Sequence, residues 1–464
     1  ARKGIFNPQY FLMPELMIIF VSVMFLDILL LDTFNTFGLP TSTTVSIVFG
    51  LFGSGLAMSI VKISKTTSDY TELASYMNVS MVMTIIGAIL LSIIFAFIFG
   101  LFVQYITRVI FSFDFENRFR RYGAFWGALA LTYITIFTLM KGVKNTEFMQ
   151  GEFKVYFQNN MGMVFTYLYI FWTVILFILL KFTKFNVLKF IVLVGTFSLA
   201  MAFAANDLVN FIGAPIAAFN AFTIASHTAN PLTADMSSMQ GSIPANTWML
   251  LFAGLIMVTT LFISKKARSV ASTTISLGRQ EEGYERFESN ALARGLVRMT
   301  YSLFSEIRRI IPNSLITFVN ARLDTTKYKP ELDQNGDAPA FDLLRAAVIL
   351  FVSAGLISLA TYFKLPLSTT YVTFIVAMAA ALPDKAWGRD SAVYRVSGVL
   401  TVVGGWFITA LFATIGAMII CFVIYYGSWV GLLIIFSLTA STIYRSARYH
   451  KAKEEKHRLA NDEL

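Results

Sequence analysis

One eight-residue pattern occurs twice in the chain. Phe37-Gly38-Leu39-Pro40-Thr41-Ser42-Thr43-Thr44 is echoed by Phe363-Lys364-Leu365-Pro366-Leu367-Ser368-Thr369-Thr370, matching at Phe, Leu, Pro, Ser, Thr and Thr. Proline followed by Ser-Thr-Thr is helix-start chemistry, because proline suits the first turn and hydroxyls accept from the free backbone amides there. Each copy follows one apolar stretch and opens another. A helix that starts within a membrane aims its N–H groups and the positive end of its dipole at whatever lies before it. Ser42, Thr43 and Thr44 in one copy, and Ser368, Thr369 and Thr370 in the other, add hydroxyl donors. Together these make a site for an oxyanion such as phosphate or sulfate. One copy alone reads as an ordinary cap; two in register argue for an internal duplication.

A second constellation is Asn206-Asp207-Leu208-Val209-Asn210. Asp207 stands between an uncharged run of 17 residues, Phe190 to Asn206, and one of 27, Leu208 to Ala234. A carboxylate at bilayer depth is costly unless it meets a cation, a donor network or a proton. On a helix, Asn206 and Asp207 each share a face with Asn210. Gly213 and Pro215 follow, and they are expected to weaken the helix and free backbone carbonyls. Carboxylate, amide and carbonyl oxygens are hard ligands suited to Na⁺, while the acid alone suits a proton; a structural polar cluster between helices would use the same residues. Asp27 and Asp32 are further candidates to help bind a cation, with Asn35 one turn from Asp32 and just before Pro40. The alternative places these acids at an aqueous boundary.

The elements that must hold these groups are apolar helices. Of 464 residues, 56% are hydrophobic and 14% charged, and the mean hydropathy is +0.66. A soluble domain is about a quarter charged. Continuously apolar runs, each long enough for the roughly 20 residues that cross a hydrocarbon core, favour helices over a barrel. Spans are predicted near 14–32, 38–61, 78–107, 121–140, 162–181, 187–205, 208–228, 244–264, 341–363, 365–383, 396–424 and 428–445, with Gly427 and Ser428 breaking the last pair. Gly50, Gly53 and Gly55 suit close helix packing. The chain thus reads as an all-α integral membrane protein with about 10–12 transmembrane or re-entrant helices, some of them broken.

Residues 1–264 form a first membrane block and 341–445 a second. Between them, 265–340 reads as a basic cytoplasmic loop with an amphipathic helix on Leu292, Leu296, Leu303, Phe304, Ile307, Ile310 and Ile311; 446–464 is a basic cytoplasmic tail. The loop 229–243 contains no Lys or Arg and is expected outside. Parity then requires one of 187–205 and 208–228 to be broken or re-entrant. The net charge of +10 gathers beside the spans, which suits anionic lipid contact and not nucleic acid. The single Cys421 and three scattered histidines offer no metal site, and no nucleophile–base pair suggests an enzyme.

Asn206-Asp207-x-x-Asn210 followed by Gly213, with two Pro-x-Ser-Thr-Thr elements, resembles the inorganic phosphate transporter (PiT) family. The resemblance covers most of the membrane part. It implies two inverted repeats and cation-coupled uptake of inorganic phosphate with Na⁺ or H⁺, without other cofactors, at a plasma (inner) membrane. It assigns Asn206, Asp207 and Asn210 to ion and substrate, and Ser42, Thr43, Thr44, Ser368, Thr369 and Thr370 to the phosphate oxygens. Three departures stand out. Ala204 replaces the usual glycine before Ala-Asn-Asp, and Val45 and Tyr371 stand after the Ser-Thr-Thr elements, at positions where the family often has histidine in the second. No Asn-Asp-x-x-Asn precedes Pro40, so the chain is expected to be a truncated version of a longer transporter. A sulfate transporter of the same fold and a truncated, non-transporting membrane subunit are the alternatives, and the sequence leaves a homodimer open.

Overall fold

The structure, a computed structural model, describes residues 4–66, 68–142, 152–240, 246–264, 266, 274–275, 277–279, 288–310, 312–327, 339–363, 367–384 and 391–462. Its principal helices are α1 (Met13–Phe37), α2 (Thr43–Thr66), α3 (Val79–Phe111), α4 (Glu116–Phe137), α5 (Met161–Phe182), α6 (Val187–Ser226), α7 (Thr247–Ile263), α8 (Ala291–Ile310), α9 (Leu343–Tyr362), α10 (Thr369–Ala381) and α11 (Ser391–Asp462). Among the described residues, seven helices are long and apolar enough to cross a membrane, and four shorter apolar segments accompany them. Their outward faces are greasy: α7 exposes Trp248, Leu251, Phe252, Leu255 and Phe262. Water would not tolerate such a face, and lipid would.

Two compact units divide the chain. The first comprises 1–87, 206–273 and 402–464; the second comprises 88–205 and 274–401. Each draws on both halves of the sequence, and the division falls within α3, α6 and α11.

In the first unit, α1 ends at Gly38, whose φ of 67° lets its amide reach Asn35 O at 3.1 Å and Leu39 N reach Phe34 O at 3.0 Å. Those two bonds satisfy two of the last four carbonyls of the helix. The connection to α2 is pinned by Trp406 Nε1, which donates to Pro40 O at 3.0 Å, and by Thr41 and Thr409, whose hydroxyls are 3.1 Å apart. The core joins Leu16, Ile19 and Phe20 of α1, Leu51 and Met58 of α2, Ala214, Ala218 and Ala221 of α6, and Cys421 of α11. Gly53 fits the expectation of close packing, since a Cβ there would fall inside the Thr414 carbonyl. Gly53→Ala is therefore expected to cost about 1–3 kcal/mol by overpacking. Its thermal midpoint in detergent should drop, while Gly87→Ala, where nothing lies within 4 Å, should not lower it.

The break expected at Gly427-Ser428 is present. Ser428 has φ 50° and ψ −131° within α11, and a Cβ on Gly431 would collide with the Val423 carbonyl. Eight residues of straight helix would separate those positions by about 12 Å, so the chain turns back on itself there.

A correction concerns α6. Where two segments, 187–205 and 208–228, were expected with one of them broken or re-entrant, the helix runs unbroken over Val187–Ser226 with Pro215 inside it. Proline removes only its own N–H, leaving Phe211 O without that donor, and an apolar setting gives the other amides no competing partner. At about 1.5 Å per residue the helix has a contour of about 60 Å, twice a hydrocarbon core.

The second unit packs α4 against α5 and α9, and α9 against α10. Gly100 of α3 lies against Val376 of α10, where a Cβ would stand 3.1 Å from Val376 Cα. Within 274–340, helices occupy Ala291–Ile310 and Asn313–Arg322.

Candidate anion site and a buried charge cluster

Both Ser-Thr-Thr elements start helices, and in the same way. Ser42 precedes α2, accepts Val45 N on Oγ at 3.3 Å and Ser46 N on its carbonyl at 3.1 Å. Ser368 precedes α10, accepts Tyr371 N on Oγ at 3.3 Å and Val372 N on its carbonyl at 3.1 Å. Both serines are buried at 1% exposure, so each cap lies within protein and not at a wet end. A hydroxyl that accepts an amide proton retains its own hydrogen to donate. Pro366 and its two predecessors lie outside the described residues.

In the first unit Asn210 of α6 reaches the start of α2. Its Nδ2 donates to Thr43 Oγ1 and to Thr44 Oγ1, each at 3.0 Å. One amide nitrogen has two hydrogens, one for each threonine, and its Oδ1 remains an acceptor group. Three hydroxyl residues, a helix N-terminus and an amide from a second helix are therefore gathered in one place. Asn206 and Asp207 belong to α6 about one turn earlier; their side chains lie outside the described residues. Ser368, Thr369 and Thr370 belong to the second unit.

Asp32 and Asn35 of α1 lie in the first unit as well. Asp32 Oδ1 is 2.8 Å from Lys266 Nζ, which also donates to Ser446 Oγ at 2.6 Å. The ammonium supplies there the positive charge that a bound cation would bring. Asn35 O accepts the Gly38 amide. Asp27, which the sequence could place at an aqueous boundary, is instead buried and accepts a hydrogen bond from Ser46 Oγ.

Sequence reasoning missed a cluster in the second unit. Arg108, in the last turn of α3, grips Asp384 in a fork: Nε to Oδ1 at 2.8 Å and Nη2 to Oδ2 at 2.7 Å. Gln104 Nε2 donates to Asp384 Oδ1 at 2.7 Å, Arg345 Nε stands 3.3 Å from Oδ2, and Asp342 Oδ2 lies 2.7 Å from Arg108 Nη2. Phe113 and Phe341 cover the two guanidinium faces. Burial acts to raise the Asp384 pKa, but Arg108 and Arg345 outweigh it and hold the carboxyl below its ordinary value. The available signal was that these charges stand at the edges of apolar runs, where they read simply as boundaries. Among the described residues no group of His, Cys, Asp and Glu could hold a metal ion.

No curated protein matches the chain. In fold it is similar to a solved structure described as the sodium-dependent phosphate transporter, at a TM-score of 0.53 and 15% identity, covering 91% of this chain and 82% of that one. That likeness shows a shared all-helical fold. A family model described as the phosphate transporter family matches residues 1–275, more than half of the sequence, and the chain belongs to that family.

Proposed function

We propose that the chain is a secondary transporter that carries inorganic phosphate across a membrane together with a cation, Na⁺ or H⁺. The observation that carries this reading is Asn210 fastened to Thr43 and Thr44 at the buried, serine-capped start of α2. Phosphate oxygens are met by hydroxyl donors and helix-start amides. Ser42, Thr43 and Thr44 take this role, and Ser368, Thr369 and Thr370 serve as phosphate donors by the same chemistry. Asp207 with Asn206 and Asn210 supplies oxygens for the cation, whose charge offsets the acid and the incoming anion. Asp32 is committed to Lys266, so it and Asn35 rank behind the α6 group as cation ligands. No covalent step is required, and the protein acts as a carrier and not as an enzyme.

The setting we infer is a plasma (inner) membrane crossed many times, with Arg294, Arg298 and Arg309 of α8 against anionic headgroups, beside exposed Leu292 and Met299. A homodimer is compatible with this arrangement.

The test is uptake of labelled phosphate by the purified protein in liposomes under an inward Na⁺ gradient, with and without a large excess of sulfate. Phosphate should accumulate, and sulfate should leave it unaffected. Uptake abolished by sulfate would favour the sulfate reading, and no movement of either anion under Na⁺ or proton gradients would end the transporter reading.

A further inference from the structure

Asp27 stands midway along α1 and retains 7% of its exposure. Its carboxylate accepts from Ser46 Oγ of α2. The neighbouring positions Val23 and Leu26 of its own helix belong to two buried apolar clusters, the first also holding Leu51 of α2 and the second Ala413, Ala417 and Ile420 of α11.

The charged and titratable groups on the elements packed there are engaged elsewhere or distant along their helices. On α1, Glu15 pairs with Lys62 of α2 at 2.8 Å and Asp32 pairs with Lys266. Lys65, in the last turn of α2, donates to Tyr425 Oη at 2.7 Å. On α11, Cys421 Sγ lies 3.6 Å from Ser54 O, and Tyr425 and Tyr426 follow it. The packed part of α6 carries Asp207 at its beginning. Among the described residues, no Lys, Arg or His pairs with Asp27.

A charged carboxylate in such a place is costly, and something must neutralise it. Hard metal cations gather about six oxygens. Among the described residues, one side chain, the Ser46 hydroxyl, hydrogen-bonds Asp27, and it donates its hydrogen to the acid. A proton needs no such shell. We propose that Asp27 is a proton-binding site of this transporter, an inference that rests on the transport reading. The acid takes a proton from water, forming a carboxyl O–H, and is held neutral while α1 and α2 pack as they do here. It returns the proton to water when movement of these helices hydrates it. Ser46 lies one turn after Ser42 and on the same face of α2, so the acid and the anion-binding start of that helix report to each other through one turn of backbone.

Infrared difference spectra of the purified full chain, taken between alkaline and acidic pH, read protonation without transport. A protonated-carboxyl band should grow in on acidification and shift when aspartate side chains carry carbon-13. It should be missing in Asp27→Asn, an isosteric change, and restored in Asp27→Glu. An unchanged band in folded Asp27→Asn would overturn the proposal. So would a wild-type band insensitive to the label, a result that needs no variant. In Na⁺-free liposomes, phosphate-dependent acidification of the lumen should be lost in Asp27→Asn; acidification equal to wild type would also overturn the assignment. Liposomes that move no phosphate under either a Na⁺ or a proton gradient, combined with the expected infrared result, would instead uphold the proton site and refute the transport reading.

Discussion

Asp384→Ala is expected to destabilise the second unit by roughly 3–5 kcal/mol, because removing one partner of a buried ion pair leaves the other charge uncompensated. Here it leaves two. Arg108 and Arg345 are each about 1% exposed at the side chain, and Asp342 alone cannot balance both. Purified Asp384→Ala should show a lower thermal midpoint and a poorer monodisperse fraction in detergent. The control is Arg108→Met with Asp384→Leu. That pair removes opposite charges together, leaves Arg345 with Asp342, and should recover most of the loss, since well-packed apolar replacements of buried ion pairs are often neutral. If the double variant is as unstable as the single one, the cluster matters through shape and its charge is incidental. The sign of the pH dependence follows from the depressed Asp384 carboxyl. A carboxylate held below its unfolded pKa contributes stability that is present above the unfolded value. That contribution is lost only as pH falls through the lower, folded one.

What could be read from the sequence was what local chemistry decides. The charge-free runs locate most helices because the length of a membrane crossing is a property of a single segment. The Ser42 and Ser368 caps are legible because a serine and the amides it accepts lie within four residues of each other. The turn at Gly427-Ser428 is legible for the same reason. The behaviour of α6 was not, because Gly213 and Pro215 announce a weakness whose outcome is decided by the surroundings. Arg108 and Asp384 are 276 positions apart, and no spacing rule joins them. Asp27 and Asp32 look alike in sequence. Packing buries one with the Ser46 hydroxyl and gives the other a lysine, and only the tertiary structure separates them.

That distinction bears on the largest functional effect expected, at Asp207. Asp207→Asn keeps the size and hydrogen-bonding capacity of the side chain and removes its charge. If the α6 group binds the coupling cation, Na⁺-driven phosphate uptake in liposomes should fall to the level of protein-free vesicles, with normal insertion and an unchanged elution profile. Asn210→Ala should be milder. It removes two neutral hydrogen bonds to Thr43 and Thr44, each worth about 0.5–1.5 kcal/mol. Phosphate KM should therefore rise roughly five- to a hundred-fold at about 1.4 kcal/mol per decade, and the half-saturating Na⁺ concentration should rise with it, because Asn210 also gives the cation an oxygen. The contrast is the informative part. A charge lost from the cation group removes the driving force, whereas an amide lost from the hydroxyl group loosens the hold on substrate. Normal Na⁺-dependent uptake in Asp207→Asn would exclude that residue from coupling. A loss in Asn210→Ala as complete as in Asp207→Asn would mean that the two groups form one indivisible site.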